Sequence, residues 1–133
     1  MHATGTVGPS STVAGPDGAS GVVVVVEVTE DLGLVRRVIA RVTLGDLLHV
    51  TLDDGRRASL RVADCDVRLA LGDARSIETL TGALIAATTR ARGGALHARE
   101  AALREGDRVR VDGPLTESGG LWVAAGRTLV TRA

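Results

Sequence analysis

Apolar and polar residues alternate through residues 50–62 in two runs joined by a turn. Val50 and Leu52 precede the turn, and Ala58, Leu60 and Val62 follow it, with Arg57, Ser59 and Arg61 between them. Such period-two alternation sets one side of a strand against a core and the other against water. A two-residue loop at Asp54-Gly55 would place Leu52 opposite Arg57 and Val50 opposite Ser59, mixing the two faces. A three-residue loop, Asp53-Asp54-Gly55, places Val50 opposite Ala58 and Leu48 opposite Leu60. Directly opposed residues share a face, so the second register is the consistent one. The pattern therefore predicts a type I turn followed by Gly55 at positive φ, where glycine has no Cβ to clash.

The same alternation recurs along the chain. In residues 21–30, Val22, Val24, Val26 and Val28 line one face while Val23 and Val25 occupy the other ahead of Glu27. Apolar residues on both faces predict a central or barrel-forming strand. Further strands are expected at residues 34–44, 67–71, 108–111, 121–125 and 127–131. Pro114 cannot donate to a ladder, which predicts a bend or a sheet edge there. Between these lies a different period. Ile77, Leu80, Leu84, Ile85 and Thr88 follow helical spacing, with Ser76 as N-cap and Gly93-Gly94 as the stop. A second short helix or turn is expected over residues 97–103. Residues 1–20 are rich in Gly, Ser, Thr and Pro, which fits either a leader or a meandering edge built on residues 3–7 and 11–14. The fold class expected is mostly β: a small antiparallel, OB-like, partly open barrel of five to seven strands with one inserted α-helix at about residues 76–91. Residues 1–133 form a single domain, with residues 1–4 flexible.

Composition narrows the function. The 133 residues are 44% hydrophobic and 24% charged, ordinary for a globular domain. Sixteen basic and sixteen acidic residues cancel, which removes the bulk field expected of a nucleic-acid or anionic-membrane binder. Every basic side chain other than histidine is arginine, and Trp122 is the only aromatic beyond the histidines. Binders of single strands stack bases on several aromatic platforms, and this chain offers at most one. No run reaches the ~20 apolar residues that span a bilayer. With no basic, apolar signal-like start, a cytoplasmic location and no membrane insertion are expected.

Candidate chemistry is sparse. Cys65 is the only cysteine, so a cysteine zinc site is excluded, and flanking Asp64 and Asp66 argue against a reactive thiolate. His2, His49 and His97 lack any metal-ligand spacing. Asp53 and Asp54 are explained by their turn, and Asp64 and Asp66 by alternation along a strand edge. Arg56, Arg57, Arg61 and Arg68, with Arg108 and Arg110, would make a basic face. The aspartates interleaved among them predict salt-bridged, solvated strands instead. Trp122 is read as a cap on the end of the barrel, with a partner-binding anchor as the functional alternative. No catalytic, cofactor or metal residues are assigned, and no cofactor is expected.

The order of elements resembles the GIDE-type domain, the β-rich "beside-a-membrane" module of mitochondrial E3 ubiquitin ligases and many bacterial proteins. The resemblance rests on Gly5-Thr-Val7, on residues 12–21 leading into the valine strand, and on the Asp-Gly turn at Thr51-Leu-Asp-Asp-Gly55. A helical insertion matched by residues 77–90 follows. Then comes Glu100-Ala-Ala-Leu-Arg-Glu-Gly-Asp-Arg-Val-Arg-Val-Asp-Gly113, which matches the family's Glu-x-x-Leu-x-x-Gly-Asp-x-Val-x-Val-x-Gly element. The proline, cysteine and aromatic of the family's opening loop are replaced by Ala19-Ser-Gly-Val22. The resemblance implies an OB-like barrel that includes the amino-terminal residues. A lone cysteine excludes the RING zinc module, so ligase activity is not implied. The function expected is a non-catalytic interaction or regulatory module whose partner is another protein. The alternative is an OB-fold binder of single-stranded nucleic acid; an enzyme would need His49 or His97 beside an aspartate in a deep pocket.

Overall fold

Four consecutive valines, Val23, Val24, Val25 and Val26, are completely buried, which a strand achieves only between two packed layers. The computed structural model describes residues 2–77 and 91–133, and 61% of these lie in strands. In chain order they are β1 (His2–Val7), β2 (Val13–Ala14), β3 (Ser20–Gly21), β4 (Val23–Asp31) and β5 (Arg36–Leu44). The next are β6 (Leu47–Leu52), β7 (Arg57–Arg61), β8 (Cys65–Arg68), β9 (Arg75–Ile77) and β10 (Ala95–Leu103). Last come β11 (Arg108–Asp112), β12 (Leu115–Ser118), β13 (Leu121–Ala124) and β14 (Thr128–Arg132).

Eight strands make one sheet in the order β12-β13-β7-β6-β1-β11-β14-β8, and four make a second, β5-β4-β10-β9. The β2–β3 hairpin pairs with neither sheet but packs against β4 and β10. Side chains from one face of the larger sheet, among them Leu48, Leu60, Val109 and Val130, cluster with Val23, Val25 and Leu103 of the smaller one. The other side of β4 carries Val24, Val26 and Val28, clustered with Ala98 of β10 and covered by Val13 and Ala19. Val22 precedes the strand and joins the first cluster rather than the face of Val24. Two cores thus share one valine strand.

The β6–β7 hairpin has the register that face-matching predicts: Val50 opposite Ala58 and Leu48 opposite Leu60. Gly55 closes it at φ +89°. β1 lies between β6 and β11, and His2–Thr4 belong to this strand. Gly5 sits at a close approach of β1 to β6: a Cβ there would lie 2.5 Å from the Thr51 carbonyl oxygen.

The expected barrel, the strand number and the reading of residues 97–103 are corrected; fourteen strands are described where five to seven were expected. The sheets do not close into a barrel; β12 and β8 remain as edges of the larger sheet. The two-sided burial of β4 comes from layering, not closure. Residues 97–103 are neither helix nor turn but the body of β10, paired with β4 over nine rungs from Ala95↔Asp31 to Leu103↔Val23. Ala, Arg, Glu and Leu favour helix locally, and pairing with a fully buried strand overrides that weak preference. Of the helix expected at residues 76–91, Ser76 and Ile77 lie in β9, Ala91 is non-helical, and 78–90 fall outside the described residues. Pro114 immediately precedes β12, an edge strand, as a residue without an N–H requires.

Two carboxylates fasten covering segments onto the Val24–Val26–Val28 face. Glu30 is fully buried and accepts hydrogen bonds from the backbone N–H groups of Arg92 (2.6 Å) and Gly94 (3.2 Å) and from Arg37 Nε (3.3 Å). Glu100, opposite Val26, accepts from the backbone N–H groups of Asp17 (3.1 Å) and Ala19 (3.2 Å). Glu100 opens the Glu-x-x-Leu-x-x-Gly-Asp element. Within it Leu103 fills the first core, Gly106 takes φ +91°, and Asp107 accepts the Arg104 backbone N–H at 2.8 Å. Glu100, Leu103, Gly106 and Asp107, the defining residues of that stretch, thus each have a structural task.

Candidate functional site

The outer face of the eight-stranded sheet carries the side chains that alternate with its core. β7 presents Arg57, Ser59 and Arg61, β6 presents His49 and Thr51, β1 presents Thr4 and Thr6, and β11 presents Arg108 and Arg110. Aspartates neutralise most of the arginines. Arg108 grips Asp53 through two hydrogen bonds of 2.6 and 2.7 Å, and the Thr4 hydroxyl donates to the same carboxylate at 2.5 Å. Those bonds from Arg108 and Thr4 hold the Asp53 carboxyl far below the usual carboxylate range, and the Asp53 carboxylate in turn raises the Arg108 guanidinium above its own. Arg110 meets Asp112 at 3.1 Å, and Arg68 meets Asp66 at 2.9 Å. Arg56 meets Asp54 at 2.6 Å; its backbone N–H also donates to Asp54 and keeps that carboxyl low.

Arg57 and Arg61 are exposed and have no ion-pair or hydrogen-bond partner for their side chains among the described residues. Arg57 stands beside a groove of about 350 Å³. Leu121 and Pro9 supply its apolar walls, the backbones of Gly8, Val50 and Ala58 its floor, and His49, Thr51 and Arg57 its polar groups. The β7–β13 register, Trp122 beside Ala58, places Leu121 next to Arg57 on the outer face. Leu121 is one of the few exposed large apolar side chains.

Trp122 itself turns the other way. It packs on the edge of the first core, with the Arg56 guanidinium 4.8 Å from its ring centroid. The expected cap on a barrel end has no barrel to close, and the ring instead shares the core side of the sheet with Ala58, turned away from the outer face. The histidines do not converge: His2 is 3.6 Å from Asp112, His49 lines the groove, and His97 lies on β10 of the other sheet. No group of three or more His, Cys, Asp or Glu able to hold a metal occurs among the described residues.

Cys65 is buried, and its thiol is bonded to the Arg61 carbonyl oxygen at 3.3 Å. Burial, reinforced by the Asp64 charge, pushes the thiol up to about 11. A disulfide-exchange reagent at pH 8 is expected to leave native Cys65 unmodified and to label it at once in urea. Fast labelling of the folded protein would contradict this burial.

No family model, curated protein or solved structure matches this chain. No helix among the described residues is long and apolar enough to cross a membrane. Function therefore has to be argued from the face and its groove. Sequence reasoning named the arginines and Trp122 but missed Leu121, Pro9 and His49 as neighbours. Only the single-rung β7–β13 pairing and the Gly8 N–H bond to the His49 carbonyl bring them together.

Proposed function

We propose that this chain is a non-catalytic protein-interaction module whose partner docks on the outer face of the larger sheet, at the groove between β6, β7 and β13. The observation that carries this reading is Arg57. It is unneutralised on a face where Arg68, Arg108 and Arg110 are matched by aspartates, and it borders an apolar groove that exposes Leu121. Apolar walls with a few convergent polar groups are the usual make-up of a recognition site. The alternative, an OB-fold binder of single-stranded nucleic acid, lacks a stacking platform, because the one aromatic anchor packs toward the core.

A photo-crosslinking residue at Leu121 is expected to form adducts with protein in the native cell extract, and Arg57→Glu is expected to weaken them. Binding to oligothymidine is expected to be absent at low salt as well as high. Salt-sensitive oligothymidine binding that depends on Arg57 would replace this reading with the nucleic-acid one.

A further inference from the structure

We infer that the groove accepts an extended peptide segment bearing two acidic side chains four residues apart, with an aliphatic side chain between them. This rests on the interaction-module reading and adds the chemistry of the partner. Arg57 and Arg61 share the outer face of β7, separated by Ser59. Four residues of strand span about 13 Å at ~3.3 Å each, so an extended chain laid along β7 repeats that distance every four residues. Both guanidiniums lack a partner among the described residues. A guanidinium with its planar fork free is matched best by a carboxylate taken in two parallel hydrogen bonds.

The apolar component follows from the walls. Leu121 and Pro9 border the space beside Arg57, and they reward an aliphatic side chain with buried area, not with hydrogen bonds. His49 lies opposite Ser59, so an imidazole and the Ser59 hydroxyl stand between the two guanidiniums, while Thr51 is level with Arg57 and Arg61 stands just beyond the groove's lining. Phosphates would also answer two arginines. A nucleic acid, however, would leave the apolar walls uncovered and would find no ring to stack on.

The test is selection of random linear peptides displayed on phage against the full chain. Recovered sequences are expected to be enriched in two Asp or Glu residues at a spacing of four with Leu, Ile or Val between. A synthetic peptide of the selected sequence, followed by fluorescence anisotropy, is expected to lose about tenfold or more in affinity to Arg57→Glu. Arg57→Lys should retain part of it, because lysine keeps the charge without the fork. Arg57→Glu leaves the core untouched, and an unchanged urea midpoint confirms that loss of binding is not loss of fold. Peptides selected without acidic enrichment, yet lost with Leu121→Ala, would overturn the inferred partner chemistry and leave the module reading standing. Failure to select any peptide above a control protein, with oligothymidine bound instead, would overturn both.

Discussion

Leu60→Ala is expected to lower the free energy of unfolding by about 2–5 kcal/mol, the range for removing a leucine side chain from a core that cannot fully collapse around the space. Leu60 is completely buried, opposite Leu48 in the β6–β7 hairpin and within the larger core. Arg61→Ala, one residue along, removes an exposed side chain and is expected to change stability by no more than ~0.5 kcal/mol. The contrast between neighbours is the test, because a strand shifted by one residue exchanges the two outcomes. Urea unfolding measures it: the Leu60→Ala midpoint falls while the slope holds, as for a two-state loss of packing. With folded domains stable by only ~5–15 kcal/mol, the change is large. Equal effects from the two substitutions would remove the period-two account of this hairpin.

That hairpin shows how much of the fold was legible in the residues. Matching faces across the Asp53-Asp54-Gly55 turn was enough to set the register, because a mismatched pairing puts arginine opposite leucine. Ile39, Leu60 and Val111 are all buried, as alternation or a mixed apolar run led one to expect. The valine strand was legible as central, but not the means of covering its second face. A β-branched run buried on both sides fits a barrel as well as a layered pair of sheets, and only partners remote in sequence decide between them. β10 was illegible for a sharper reason. Ala95–Leu103 has the composition of a helix, and its strand conformation is imposed by β4 on one side and β9 on the other.

The candidate site was legible in part for the same reason. Aspartates two residues from arginines, within one strand as in Asp66/Arg68 and Arg110/Asp112 or within one turn as in Asp54/Arg56, signalled local pairing, and those pairs exist. The grip of Arg108 on Asp53 spans 55 positions and left no local trace. Its consequence is functional, because it spends an arginine on structure and leaves Arg57 and Arg61 as the unneutralised cations of β7. The direction of Trp122 was undecidable from alternation alone, since Leu121 and Trp122 are both apolar and either could face the core. The parallel pairing with Ala58 decides it.

Glu30→Gln is expected to be among the most damaging polar substitutions at neutral pH, and the damage is expected to fade in acid. Burial alone would raise the Glu30 carboxyl. The Arg92 and Gly94 N–H groups and the Arg37 guanidinium outweigh burial and bring it below its ordinary value of 4.5. The unfolded chain therefore binds the proton more tightly than the folded one, and stability rises with pH through this range. The contribution is complete above pH ~4.5 and is lost as pH falls through the lower, folded value. Glutamine fills the same space but offers one acceptor oxygen and carries no charge, so some of the donors from Arg92, Gly94 and Arg37 lose strength or partner. The urea midpoints of wild type and Glu30→Gln should thus differ most near pH 7 and converge toward pH 3. Asp53, Asp54 and Asp107 are also held below their ordinary values, so both proteins weaken in acid, and the diagnostic quantity is the gap between them. A gap that stays constant with pH would mean that Glu30 acts through packing, with its charge contributing nothing. If the gap closes, the carboxylate is what fastens the Arg92–Gly94 segment over the second core, through donors 62 and 64 positions away.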